Sequence, residues 1–284
     1  MHNTAEQLSQ PVEVLAGERL DEARAATLGE TLTRLPGVQS SNFGSGVRRP
    51  IIRGLEGARV SVLSGGLSTQ DVSTISQDHA VTIEQFLADQ IEVLKRPATL
   101  LYGNGAIGGV VNVVDGRIAE APLDQTIQGR AEARTETATD GFTGTARVDA
   151  AGAGGSLVLH ADGLYRNHRD YETPNGVQRN SFIDTRCGAL GASLVGDAGF
   201  VGISFSRHEN AYGEPGDPEA GEPGVFLDVE QIRVEAKAGM NREFGWFNGL
   251  RASVASTDYQ HTPSSKARRS GRASPARPMK VGSS

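Results

Sequence analysis

Gln231-Ile232-Arg233-Val234-Glu235-Ala236-Lys237-Ala238-Gly239-Met240 alternates apolar with polar residues for almost its whole length. Successive side chains of an extended chain point to opposite faces. Ile232, Val234, Ala236, Ala238 and Met240 therefore share one face of a strand, and Gln231, Arg233, Glu235 and Lys237 the other. The same period of two recurs from Thr126 onward. Residues 126–137 set Arg130, Glu132 and Arg134 against Gly129, Ala131 and Ala133. Residues 142–150 set Phe142, Ala146 and Val148 against Thr143, Thr145 and Asp149. Residues 156–166 set Leu157, Leu159 and Tyr165 against His160, Asp162 and Arg166. Segments 185–195, 200–207, 231–240 and 246–259 complete a set of seven predicted strands.

Each segment is about ten residues long, the length that carries a tilted strand across a bilayer. A soluble antiparallel sheet with one wet face has the same alternation, and the connections separate the two readings. Residues 151–155, 196–199 and 241–245 are tight turns, whereas 167–180 and 209–228 are long, polar and rich in Gly and Pro. Short turns on one side and long loops on the other are the asymmetry of outer-membrane barrels.

The chain has 284 residues and a formal net charge of −6, against the basic excess of a dedicated nucleic-acid binder. Its single cysteine, Cys187, excludes an internal disulfide and a Cys-rich zinc module, and reads as an ordinary strand residue. Glycine, at 36 residues, is nearly twice as common as usual. Residues 1–11 are polar, with no signal-peptide pattern, and read as disordered. The end of the chain, 263–284, carries Lys266, Arg268, Arg269, Arg272, Arg277 and Lys280 with no acidic residue. It reads as a disordered, non-native tail.

The first half is mixed α+β. Residues 12–15 are β-prone; Leu28, Leu32 and Leu35 fall on one helical face; Pro36-Gly37 ends that helix. Residues 51–54 and 59–63 read as two strands joined by a turn. Thr82-x-x-Gln85 matches a capping box and predicts a helix over 83–88. Residues 90–95 and 108–114 read as strands, with a helical turn over 99–102. Gly103 to Gly108 fits G-x-G-x-x-G, but β-branched residues follow where a dinucleotide site needs a helix, so no Rossmann fold is expected.

The stretches 28–38, 49–54, Gly65-Gly66, Ile91-Glu92-Val93, 97–103 and 105–114 resemble the plug domain of TonB-dependent outer-membrane receptors, with 91–114 the most specific part. The resemblance extends over residues 8–262. It implies an α+β plug domain at 12–118, followed over 119–262 by the antiparallel strands of an incomplete transmembrane β-barrel. Family barrels close at 22 strands, so the chain reads as a truncated receptor whose unpaired edges favour aggregation. The implied location is the outer membrane of a Gram-negative bacterium. The implied partners are outer-membrane lipid, a metal ion or metal chelate, and a TonB-type energy-coupling protein, although no TonB box is visible.

Binding rather than catalysis is expected, with no cofactor, because no nucleophile–base arrangement is readable. Asp78 and His79 put a carboxylate beside an imidazole, a pair suited to Zn²⁺ when other ligands join it. They read equally as a surface pair ahead of a helix, Asp78 complementing its dipole. Ser76-Gln77-Asp78-His79-Ala80 resembles the zinc-uptake receptors, which makes Zn²⁺ a candidate transported substrate. Asp71 is a weaker candidate ligand. Glu209, Glu214, Asp217, Glu219 and Glu222 make an acidic loop able to concentrate cations. His160 is expected to line the lumen with Asp162. The contrasting reading of the whole chain is a soluble plug-type binding module without transport activity.

Overall fold

A computed structural model describes residues 12–96, 106–216, 224–241, 249–264 and 279–280. The chain divides into two compact units, one of Met1–Asp115 with Gly213–Gly224 and one of Gly116–Tyr212 with Val225–Ser284.

The first unit begins with β1 (Val12–Ala16), α1 (Glu18–Ala23), α2 (Leu28–Thr31), β2 (Val38–Ser40) and β3 (Pro50–Ile52). It continues with β4 (Val60–Ser64), β5 (Leu67–Ser68), β6 (Gln90–Leu94) and β7 (Gly109–Val114). Its main sheet has the order β1-β6-β7-β4-β5, with β4 and β7 parallel. One face of this sheet buries Val60, Val62, Ile91, Val93, Val111 and Val113 against Leu20, Leu28, Leu32 and Leu35. The three periodic leucines face inward as their spacing requires, but the regular helix is a single turn. The Thr27 hydroxyl accepts the Glu30 N–H at its start, and i→i+3 turns carry the chain to Leu35. Gly29 lies against the Arg48 carbonyl, where a Cβ would sit 2.5 Å from the oxygen.

The two strands expected at 51–54 and 59–63 form as β3, which pairs with β2, and β4, which lies between β7 and β5. One expectation fails. No helix forms over 83–88. Phe86, Leu87 and Ala88 are consecutive and all buried, which one face of a surface helix cannot provide. Thr82 gives its N–H and hydroxyl to Asp71 at 3.1 and 2.9 Å, and Gln85 donates to the Ala25 carbonyl at 2.5 Å. The capping-box residues thus tie the segment to two distant loops. The helical turn expected at 99–102 and the disordered start at 1–11 lie outside the described residues.

The second unit contains β8 (Ile127–Glu136), β9 (Gly141–Gly152), β10 (Leu157–His168), β11 (Glu172–Thr173), β12 (Gly176–Val177), β13 (Ile183–Gly196), β14 (Gly199–Glu214), β15 (Val225–Met240), β16 (Leu250–Ser264) and β17 (Met279–Lys280). One sheet runs β17-β16-β15-β14-β13-β10-β9-β8. It holds the seven expected long strands, and β11 and β12 make a small hairpin in the loop between β10 and β13.

The long strands overrun their expected ends. Strand β14 reaches Glu214 and β15 starts at Val225, so half of the connection expected at 209–228 is strand. The ladder from Gly196↔Gly199 to Ile183↔Tyr212 supplies the backbone bonds, whatever the side chains. Asp217, Glu219 and Glu222 lie outside the described residues. Within 263–284, β16 takes in residues 263 and 264, and β17 pairs with Gln260 and His261; the rest is outside the described residues.

The faces decide between a soluble and a membrane sheet. Leu190, Val201, Ile203 and Val254 are exposed, at 65, 52, 54 and 66%, whereas Thr185, Ser193, Ser204 and Arg233 are buried. Val234 is likewise exposed, between buried Arg233 and Glu235. Polar side chains in and apolar side chains out reverses the order of a soluble sheet and is the order of a transmembrane barrel.

Candidate functional site

Asp78 and His79 lie on the loop between β5 and β6, in a turn rather than ahead of a helix. The loop is pinned from both sides. Asp71 opens the one-turn helix Val72–Thr74 by accepting the Ser73 N–H at 3.0 Å and the Ser73 hydroxyl at 2.5 Å. Its other oxygen takes Thr82, so this weaker metal candidate is engaged as a clamp. Arg49 is buried beneath the loop. Its guanidinium donates to the carbonyls of Ser73 and Ser76, the latter at 3.3 Å, and lies 3.9 Å from Glu56.

On this support Asp78 Oδ1 lies 2.8 Å from His79 Nδ1 and also accepts the Ser76 hydroxyl. The His79 side chain is mostly buried, while that of Asp78 is 43% exposed. Burial works to raise the Asp78 carboxyl, but the bonds from Ser76 and His79 and the imidazole charge outweigh it and hold the group below the ordinary 3.8. Burial lowers Arg49 against the pull of Glu56, Asp78 and Asp71. Glu214 belongs to the same compact unit. It ends β14, beyond the roughly ten residues that cross a bilayer from the Gly199 turn. Its backbone packs on Gly44, where a Cβ would stand 3.7 Å from the Glu214 Cα. Burial, aided by the charge of Asp78, pushes the Glu214 carboxyl up to about 7.

The structure thus pairs a carboxylate with an imidazole, and the charge of that carboxylate reaches the raised Glu214 carboxyl. Among the described residues no three His, Cys, Asp or Glu side chains form a group able to hold a metal ion, so Asp78 and His79 offer two ligands. Glu214 stands 136 positions from Asp78, and no local pattern in the sequence could have joined them.

In the second unit, His160 lies on the polar face as expected. Nδ1 is 2.6 Å from Asp149 and Nε2 is 3.0 Å from Asp162. Arg147 flanks Asp149 at 3.2 Å and Arg117 flanks Asp162 at 2.8 Å. Cys187, expected to be unremarked in its strand, lies 2.9 Å from His208 Nδ1.

Residues 4–110 match the family model described as the TonB-dependent Receptor Plug Domain. Over 243 residues the chain is 27% identical to a protein named vitamin B12 transporter BtuB from Photobacterium profundum, covering 82% of this chain and 38% of that protein. Among solved structures it resembles the copper transporter OprC, with a TM-score of 0.72 and 17% identity, over 88% of this chain and 37% of the other. It also resembles the Serratia marcescens hemophore receptor HasR, solved with its hemophore HasA and heme, with a TM-score of 0.71 and 14% identity, over 90% and 38% of the two chains. The chain therefore spans less than half the length of these three proteins.

Proposed function

The chain belongs to the TonB-dependent receptor family, and from that premise we propose that the whole protein takes up a metal ion or metal chelate across the outer membrane, with Zn²⁺ as its cargo. Its relatives are outer-membrane transporters and receptors of Gram-negative bacteria rather than enzymes. Uptake would be driven through a TonB-type energy-coupling protein. The named relatives carry vitamin B12, copper or heme, which supports a metal or chelate in general. The observation that favours zinc is the Asp78–His79 contact at 2.8 Å on a braced loop. A carboxylate and a neutral imidazole are borderline-hard ligands of the kind Zn²⁺ accepts.

The test is uptake by the full-length receptor in a strain lacking its own zinc receptor. Zinc-limited growth should be rescued by wild type, and His79→Ala should lose the rescue while reaching the membrane in equal amount. Zinc affinity should fall by about tenfold or more in His79→Ala, the scale of losing one metal contact. Equal affinity in the two proteins would remove zinc and leave an unspecified metal chelate as cargo.

A further inference from the structure

Cys187 and His208 are direct partners across β13 and β14. Both belong to the polar face of the sheet, since Thr185 and Ser193 on β13 and Ser204 and Asn210 on β14 are buried on that side. Side chains directly opposite each other have Cβ atoms about 5 Å apart, close enough to share one ion. Sγ and Nδ1 are in hydrogen-bond contact at 2.9 Å, so one proton is held between sulfur and nitrogen. The other ring nitrogen, Nε2, is buried and meets no hydrogen-bond partner among the described residues.

We propose that Cys187 and His208 form a two-ligand site for a soft monovalent cation, of the Cu(I) or Ag(I) class, on the polar face of the barrel sheet. The cation takes the place of the shared proton, which leaves to solvent; sulfur and nitrogen each gain a bond to the metal, and nothing is oxidised or reduced. Thiolate is the protein ligand that selects soft ions. Bonds of about 2.0–2.3 Å to nitrogen and sulfur, near-linear for a two-coordinate ion of this class, need the pair to part from 2.9 Å to roughly 4.3 Å.

Charge and ligand number choose the class of ion. Arg117 and Arg166 both lie close enough to act electrostatically on His208. Exchanging a proton for a monovalent ion leaves the charge beside these guanidinium groups unchanged. A divalent ion adds a positive charge there, and Zn²⁺ also asks for four ligands where this pair provides two. The site is independent of Asp78 and His79 and of the identity of the cargo.

Cys187 is the sole cysteine, so thiol chemistry reports on it alone. The protein, purified in detergent, is titrated with silver nitrate and separately with zinc sulfate. One Ag(I) should bind per chain with release of one proton and slow maleimide labelling of the thiol at least tenfold. Zinc sulfate at the same concentration should leave labelling unchanged. His208→Gln should weaken Ag(I) at least tenfold, read as the silver concentration that halves each protein's own metal-free labelling rate. X-ray absorption of the silver-loaded wild type should show one sulfur and one nitrogen neighbour, a readout that does not depend on any variant folding. Sulfur alone, equal Ag(I) affinity in His208→Gln, or equal protection by zinc would overturn the assignment.

Discussion

Glu214 holds a proton in the folded protein that it releases when unfolded. Its carboxyl is raised from 4.5 to about 7, by burial first and then by Asp78. The stability it contributes is therefore full below pH 4.5 and is lost as pH rises through about 7. Glu214→Gln should flatten the decline of the urea midpoint across that window, and Asp78→Asn, by removing the neighbouring charge, should move the decline to lower pH. Asp78 acts in the other direction: its depressed carboxyl stabilises above 3.8, a contribution lost as pH falls through the lower folded value. A midpoint in Glu214→Gln that follows wild type at every pH would show that another group titrates. His160 permits a second test. Both its ring nitrogens face carboxylates, so His160→Ala leaves Asp149 and Asp162 buried with only their arginines; we expect a loss of about 3 kcal/mol in urea unfolding, the lower end for breaking a buried pair. Asp78 and His79 were legible because they are neighbours in the chain. Glu214, Arg49 and the Cys187–His208 pair were not, because only folding and strand register place them where they act.

Strand identity and facing were legible wherever hydrophobicity alternated. Leu190, Leu194, Val201, Ile203 and Phe205 all came out exposed on the face opposite the buried Ser193 and Ser204. The outward face changes character along each strand. On β15 it is apolar from Met240 to Ile232, then carries Glu230 and Asp228; on β14 Phe205 is followed outward by Arg207 and Glu209. Arg207 bridges Glu209 and Glu230 at 2.6 and 2.8 Å, closing the apolar band with a charged rim. Ile203→Lys should therefore cost about 2–4 kcal/mol when the barrel folds in lipid vesicles, and Glu230→Lys at the rim no more than about 1. Equal costs at the two positions would mean that the band is not embedded. Strand ends were less legible than faces, because beyond the band the ladder continues on backbone bonds with no hydrophobic signature. The capping motif misleads at 83–88 because Thr82 and Gln85 satisfy it in sequence but find partners in Asp71 and Ala25 in the fold.

At the scale of the whole molecule, residues 4–110 and the strand ladder make the family readable. The segment that leaves the plug is fastened to the barrel sheet at once. Arg117 grips Asp162 at 2.8 Å, Ala119 donates its N–H to the Ser193 hydroxyl at 2.9 Å, and Ile118 is buried with Val158, Val195 and Phe200. Glu120 meets Arg251 at 2.5 Å. A Cβ on Gly191 would collide with the Arg117 carbonyl oxygen. Gly191→Val should thus loosen the segment and raise its cleavage in limited proteolysis at the Arg117–Ile118 bond; an unchanged digest would show that the close approach is dispensable. In mechanical terms, these attachments are a cleat. Tension arriving along the chain through Asp115 is handed to the sheet within a few residues, spread over an ion pair, a backbone bond and a buried side chain.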